Sequence, residues 1–187
     1  ILFAMLIVAI LLSLRTGSYK TPTLELIKGI FGHAADSKIN LVVRSNRLPR
    51  ICTAIVAGAG LGITGCVLQA ILRNPLASSS TLGVSQGASF GAAFAIIVLQ
   101  MGSASGLGTM AIPLCAFIGS VSVALVILGL SRFRQVSPEG IILAGVAISS
   151  MFTGGTTLMQ YFADEIQLNT LVFWTFGSLG NTDWGDV

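Results

Sequence analysis

Four stretches of the chain, residues 51–72, 82–101, 110–130 and 140–162, run apolar without one charged side chain. A helix needs about 20 such residues, at about 1.5 Å each, to cross the roughly 30 Å hydrocarbon core of a bilayer, so each stretch predicts a transmembrane helix. Residues 1–14 form a fifth apolar run. It covers only about 21 Å, which predicts a span already under way where the chain begins. A cleaved leader fits poorly, because no charged residues precede the run and Arg15-Thr16-Gly17 is not a small-residue cleavage site. The connectors carry interface punctuation: Arg73-Asn74-Pro75, the glycine-rich 102–108, and 131–139 with Arg132, Arg134 and Pro138. After Tyr161 the chain turns polar and then apolar again through Leu171 to Leu179, so that 171–187 reads as the partial lead into a sixth span. The expectation is an all-α, polytopic membrane helical bundle, present here as one incomplete transmembrane domain over 1–187.

Small residues recur with helical spacing. Ala54, Gly58, Gly62 and Cys66 fall on every fourth residue of one span, and Gly83, Gly87, Gly91 and Ala95 do the same on the next. Helices in lipid gain no hydrophobic drive toward one another, and such faces let their backbones approach closely enough for van der Waals contact to hold them. Both stripes therefore predict tight helix packing. The last complete span differs, since Ser149, Thr153, Thr157 and Gln160 lie along one face with Ser150 and Thr156 beside it. Polar groups within a span line a wet path, or else bond across helices or back to their own backbone; the residues alone leave both open.

Composition agrees with a bilayer environment: 53% of residues are hydrophobic, 9% are charged and the mean hydropathy is +0.89. About a quarter of residues are charged in a soluble domain. The net charge of +3 is too thinly spread among apolar runs to form a nucleic-acid groove. Cys52, Cys66 and Cys115 lack the spacing of a zinc or redox site and read as packing residues, while His33 has no second ligand near it and reads as a solvated loop residue. No metal site and no cofactor are expected. Charge placement carries a conflict. Seven of the ten basic residues lie between Arg15 and Arg50, which the positive-inside rule puts in the cytoplasm; the segment after Tyr161 holds four acids and no base, which puts it outside. Four spans separate the two segments, so they must share one side.

The run Arg47-Leu48-Pro49-Arg50, Val56-Ala57-Gly58-Ala59, Gly65, Gln69, Arg73-Asn74-Pro75-Leu76-Ala77 and Leu82-Gly83-Val84-Ser85-Gln86-Gly87-Ala88 resembles the permease family of ABC importers for ferric siderophores, haem and cobalamin. Leu143-Ala144-Gly145-Val146-Ala147 and Phe173-Trp174-Thr175-Phe176-Gly177-Ser178-Leu179, with Trp184, continue the likeness. Either short motif alone is weak; in this order they are specific. The resemblance implies the N-terminal half of a subunit of about ten spans, about five of them present, in the cell (inner or plasma) membrane. It implies as partners an ATPase dimer of ATP-binding subunits, an extracytoplasmic substrate-binding protein, a second permease subunit and membrane lipid, with no nucleic acid. It places the arginine segment outside, where Arg47 and Arg50 receive acids of the binding protein; Arg44 is a nearby candidate for the same docking. It makes Asn74 and Leu76 candidates for a cytoplasmic gate. Ser78 and Ser79 depart from the family's usual proline after this motif, which predicts a less rigid loop.

No phosphate-binding loop, intramembrane acid pair or metal-ligand spacing is present, so the chain is not expected to be an enzyme, and ATP hydrolysis falls to a separate chain. The function expected is translocation of a ferric siderophore or similar metal chelate along a path that includes Ser149, Thr153, Thr157 and Gln160. The alternative is an ion-coupled secondary transporter of a small polar solute. The absence of acids and bases within the four complete spans counts against it.

Overall fold

The computed structural model describes residues 1–16, 23–30, 33, 36–101, 106–132, 137–180 and 182–185. Regular structure among them is helical: α1 (Leu2–Arg15), α2 (Thr23–Ile30), α3 (Ser37–Leu72), α4 (Val84–Val98), α5 (Gly106–Ser131), α6 (Pro138–Tyr161) and α7 (Glu165–Phe176). Helix α3, the Met110–Ser131 part of α5 and helix α6 are each long and apolar enough to cross a membrane. The chain divides into two compact units, residues 1–61 with 178–187 and residues 62–177.

In the first unit, helix α3 begins well before the apolar run. Asp36 caps it by accepting from the Lys38 N–H at 2.9 Å, so Arg44, Arg47 and Arg50, which precede the apolar run, stand on the same helix. Residues Val43–Arg47 form a π turn, with the Leu48 N–H donating to the Val43 carbonyl. Pro49 supplies the reason: it has no N–H for the preceding turn and its ring needs room, which a widened turn gives without breaking the helix. The turn buries Val43 beside Leu26 and Ile39, with Ile30 and Leu48 packed around them.

The second unit is built on helix α4. Its glycines sit directly on helix α5: a Cβ on Gly87 would lie 2.7 Å from the Gly119 carbonyl oxygen, and one on Gly91 would lie 2.1 Å from that of Cys115. Ala92, Ala93 and Ile96 continue this face into a core with Ala116 and Leu171, against which Met159 and Trp174 pack. Helix α6 crosses the start of α4, where Gly83 takes φ +82°, and its Phe152 meets Phe90 edge to face at 5.2 Å. The helix expected over 82–101 is shorter than its apolar run. Helix α4 has a π segment at Phe94–Val98 and stops before Gln100, whose φ of 52° cannot continue it.

Within the stretch 171–187 expected to lead into a further span, residues 171–176 close a short helix that begins at Glu165. Helix α7 opens on a capping box, in which Asp164 accepts from the Gln167 N–H at 2.8 Å and Gln167 accepts from the Asp164 N–H at 3.1 Å, and it closes at Gly177 with φ +71°. Asp164→Ala removes a cap worth about 1 kcal/mol. A fall of a few degrees in the thermal midpoint of the detergent-solubilised protein is expected, and an unchanged midpoint would show that packing alone holds α7.

Candidate functional site

Ser149, Ser150 and Thr153 of helix α6, within the 62–177 unit, open onto a cavity of about 420 Å³. The loop between α3 and α4 contributes Ser80 and Thr81, and helix α4 contributes Gln86. None of its lining residues is charged. Two serines use their protons on their own helix: Ser149 Oγ donates to the Gly145 carbonyl at 2.8 Å and Ser150 Oγ to that of Val146 at 3.0 Å. Of the alternatives left open by the sequence, bonding back to the helix's own backbone is present at both serines, and it leaves the hydroxyl lone pairs able to turn to the cavity. Thr157, whose Oγ1 donates to the Thr153 carbonyl at 3.0 Å, lies farther along the exposed surface of α6, and neither it nor Gln160 lines this cavity. Ser80, Thr81 and Gln86 are lining residues that sequence reasoning did not assign to this face. For Gln86 the signal was an amide near the start of a largely apolar run.

Asn74 and Leu76 lie on the same loop. Helix α3 ends in a Schellman arrangement, with Arg73 at φ 49° and the Asn74 N–H reaching the Gln69 carbonyl at 3.2 Å. Asn74 Oδ1 then accepts from the Leu76 N–H at 2.8 Å, a turn that leaves Leu76 79% exposed. The residues after this turn, where the proline is missing, bond to one another. Ser78 N–H donates to Thr81 Oγ1 at 2.9 Å, Thr81 Oγ1 donates to the Ser78 carbonyl at 2.8 Å, and the Ser78 and Ser80 hydroxyls meet at 2.8 Å. These bonds cross-link the loop at the place where the family's proline is missing.

The arginines form a second cluster, inside the unit of residues 1–61 and 178–187. Arg47 is buried, 8% exposed, and donates from Nη1 to the Leu14 carbonyl in the last turn of α1. Arg50 is half-buried and donates from Nη2 to the Gly180 carbonyl, while its Nε is enclosed with no partner. Arg44 is exposed; its carbonyl accepts from Trp184 Nε1 at 2.7 Å, and the two residues share a cleft with Ser37, Asn40 and Ser45. Of the three, only Arg44 is exposed.

The glycine stripes part company. Gly83, Gly87 and Gly91 meet the backbone or side chains of α5 and α6, whereas a Cβ on Gly58 or Gly62 would meet nothing within 4 Å. The stretch 51–72, expected from its stripe to be surrounded by protein, is mostly exposed within this chain. Cys66 is exposed and Cys52 and Cys115 half-buried, all three as free thiols, and His33 is exposed. Among the described residues no three His, Cys, Asp or Glu side chains converge.

The sequence matches the FecCD transport family over residues 5–187. An ABC transporter permease protein of Methanocaldococcus jannaschii is 45% identical over 193 aligned positions, covering 100% of this chain and 55% of that protein. The Fe(3+)-citrate import system permease protein of Bacillus subtilis is 32% identical, covering 100% of this chain and 54% of its own length. Among solved structures, an inward-facing conformation of a metal-chelate type ABC transporter superposes with a TM-score of 0.76 at 30% identity, over 98% of this chain and 54% of that one. The chain thus spans about half the length of the relatives it matches.

Proposed function

Because this chain belongs to the FecCD transport family, we propose that it forms part of the membrane permease subunit of an ABC importer for ferric siderophores or similar metal chelates. The observation that carries the reading, beyond membership, is the cavity on α6, whose hydroxyl and amide wall holds no fixed charge. A bulky polar chelate passes such a wall by exchanging weak hydrogen bonds, and no ion pair traps it on the way. An iron-citrate importer among the relatives supports the cargo class.

In this reading the chain sits in the inner or plasma membrane, with Ser149, Thr153, Thr157 and Gln160 along the path, in that order from the cavity outward on α6. Asn74 and the exposed Leu76 form the cytoplasmic gate, on a loop held by the Ser78–Thr81 bonds. Arg44 meets the extracytoplasmic binding protein, with Arg50 behind it. A second permease subunit completes the path, and separate ATPase subunits drive it.

The test is uptake by the full-length permease, with its binding protein and ATPase subunits, in proteoliposomes offered a panel of ⁵⁵Fe(III) chelates. ATP-dependent accumulation of at least one chelate, abolished by omitting the binding protein, is expected. Uptake driven by an ion gradient without ATPase subunits would overturn the reading in favour of a secondary transporter.

A further inference from the structure

We infer that the aliphatic groove between the ends of α3 and α5 and the start of α6 holds an acyl chain of an anionic phospholipid, whose headgroup Arg73 and Arg132 receive. The inference goes beyond the importer reading and takes from it only the side of the membrane.

The groove, of about 410 Å³, lies within the 62–177 unit, with Leu68, Leu72, Leu82, Leu128 and Ile141 in its wall. Three of its lining residues carry a hydroxyl and none carries a charge; one of the three, Ser131, donates its proton to the Leu128 carbonyl at 2.8 Å. Such a wall suits a hydrocarbon or another helix, and the side chains decide between them. Helices in lipid approach one another through small residues, which on α3 are Gly58, Gly62 and Cys66. Thr64, Leu68 and Leu72 also recur every fourth residue, but two positions out of step, which turns them about 200° away. A helix that closes on the glycine stripe therefore leaves the groove open. Between branched side chains a flexible chain fits better than a cylinder about 10 Å across.

Charge identifies the other end of the occupant. Between residues 51 and 163 the sequence holds four charged side chains, Arg73, Arg132, Arg134 and Glu139. Arg73 directly follows Leu72 and Arg132 directly follows Ser131, both of which line the groove. Both arginines are exposed, and neither forms an ion pair among the described residues. Glu139 belongs to the first turn of α6, whose free N–H groups favour a carboxylate. Guanidinium forks bind phosphate oxygens in pairs, and basic residues on the cytoplasmic side attract the anionic lipids of that leaflet. An apolar groove that ends at two unpaired arginines matches the tail and head of one such lipid.

The experiment uses the full-length permease in nanodiscs of equimolar phosphatidylglycerol and phosphatidylcholine with identical acyl chains, a trace of one or the other bearing a diazirine in its chain. Labelled peptides are quantified by mass spectrometry after illumination. At residues 64–72 and 124–131 the phosphatidylglycerol probe is expected to be favoured at least about fivefold beyond its preference elsewhere on the protein, the effect of one arginine on an anionic lipid. Arg73→Gln with Arg132→Gln is expected to abolish that excess and leave labelling elsewhere unchanged. Ala124→Phe, which fills the groove, is expected to lower labelling there by both probes. Should that variant not fold, the arginine variant, altered only at exposed positions, still decides. Equal labelling by the two probes would overturn the anionic site and leave ordinary boundary lipid. Absence of label in the groove from either probe would overturn it in favour of a covering polypeptide segment. An excess that survives the double arginine change would overturn the assignment of the headgroup to these arginines. Cargo and ATPase subunits enter none of these outcomes, so the importer reading stands or falls separately.

Discussion

Gly91→Ala is expected to destabilise the folded protein by about 3 kcal/mol or more, and Gly62→Ala, the same change on the neighbouring stripe, to leave it unharmed or up to about 1 kcal/mol more stable. Both glycines are interior helical residues, so both gain the same intrinsic preference of alanine for the helix, about 1 kcal/mol. What separates them is the neighbour. The new methyl at 91 would stand 2.1 Å from the Cys115 carbonyl oxygen and 2.7 Å from its carbon, and these are backbone atoms of α5 that cannot rotate away. The two helices must separate, and the Ala92, Ala93, Ile96 and Ala116 core opens with them. At 62 the methyl meets nothing within 4 Å. Thermal unfolding of the two variants in detergent decides the matter: equal midpoints would mean that the α4–α5 interface yields freely. A marked loss at Gly62→Leu in the full-length protein would instead show that a helix from outside residues 1–187 lies against α3.

The contrast also shows what can be read from sequence and what cannot. Apolar runs and glycine spacing are local properties, and they located α3, α5, α6 and the packing face of α4. A small-residue stripe states that a helix can be approached closely. It does not state by which helix, and so the 58–62 and 87–91 stripes looked alike. Helix ends depend on single residues: Gln100 at φ 52° and the Asp164–Gln167 box set boundaries that hydropathy placed elsewhere. The hydroxyl face was visible on α6, but the cavity needed Gln86 and Thr81 brought to it by two other segments. The 78–81 loop is cross-linked by serine and threonine bonds, which the absence of a proline did not foretell.

Arg47, expected from the sequence at a docking surface, is buried in the structure, and its loss is expected to act on folding before it acts on docking. A guanidinium held 8% exposed and bonded to the Leu14 carbonyl, 33 residues away, is a tie between α3 and the end of α1. The last carbonyls of a helix have no partner within it and carry the negative end of its dipole, so a cation there is favoured twice. Arg47→Ala removes a charged donor from a buried carbonyl, at a cost of about 1.5 to 3 kcal/mol. Arg44→Ala, at an exposed position, is expected to change stability by less than about 0.5 kcal/mol. The functional consequences should sort in the opposite sense. Arg44→Glu should slow association with an acidic binding protein and flatten its dependence on salt, because exposed charges steer encounter more than they hold the complex. Arg47→Ala should lower the amount of folded permease, and with it the uptake of every cargo, while whatever folds docks at the normal rate. Unfolding midpoints together with association rates at two ionic strengths separate the two roles. An Arg47→Ala protein as stable as the parent but slow to dock would return Arg47 to the docking surface and make the Leu14 tie incidental.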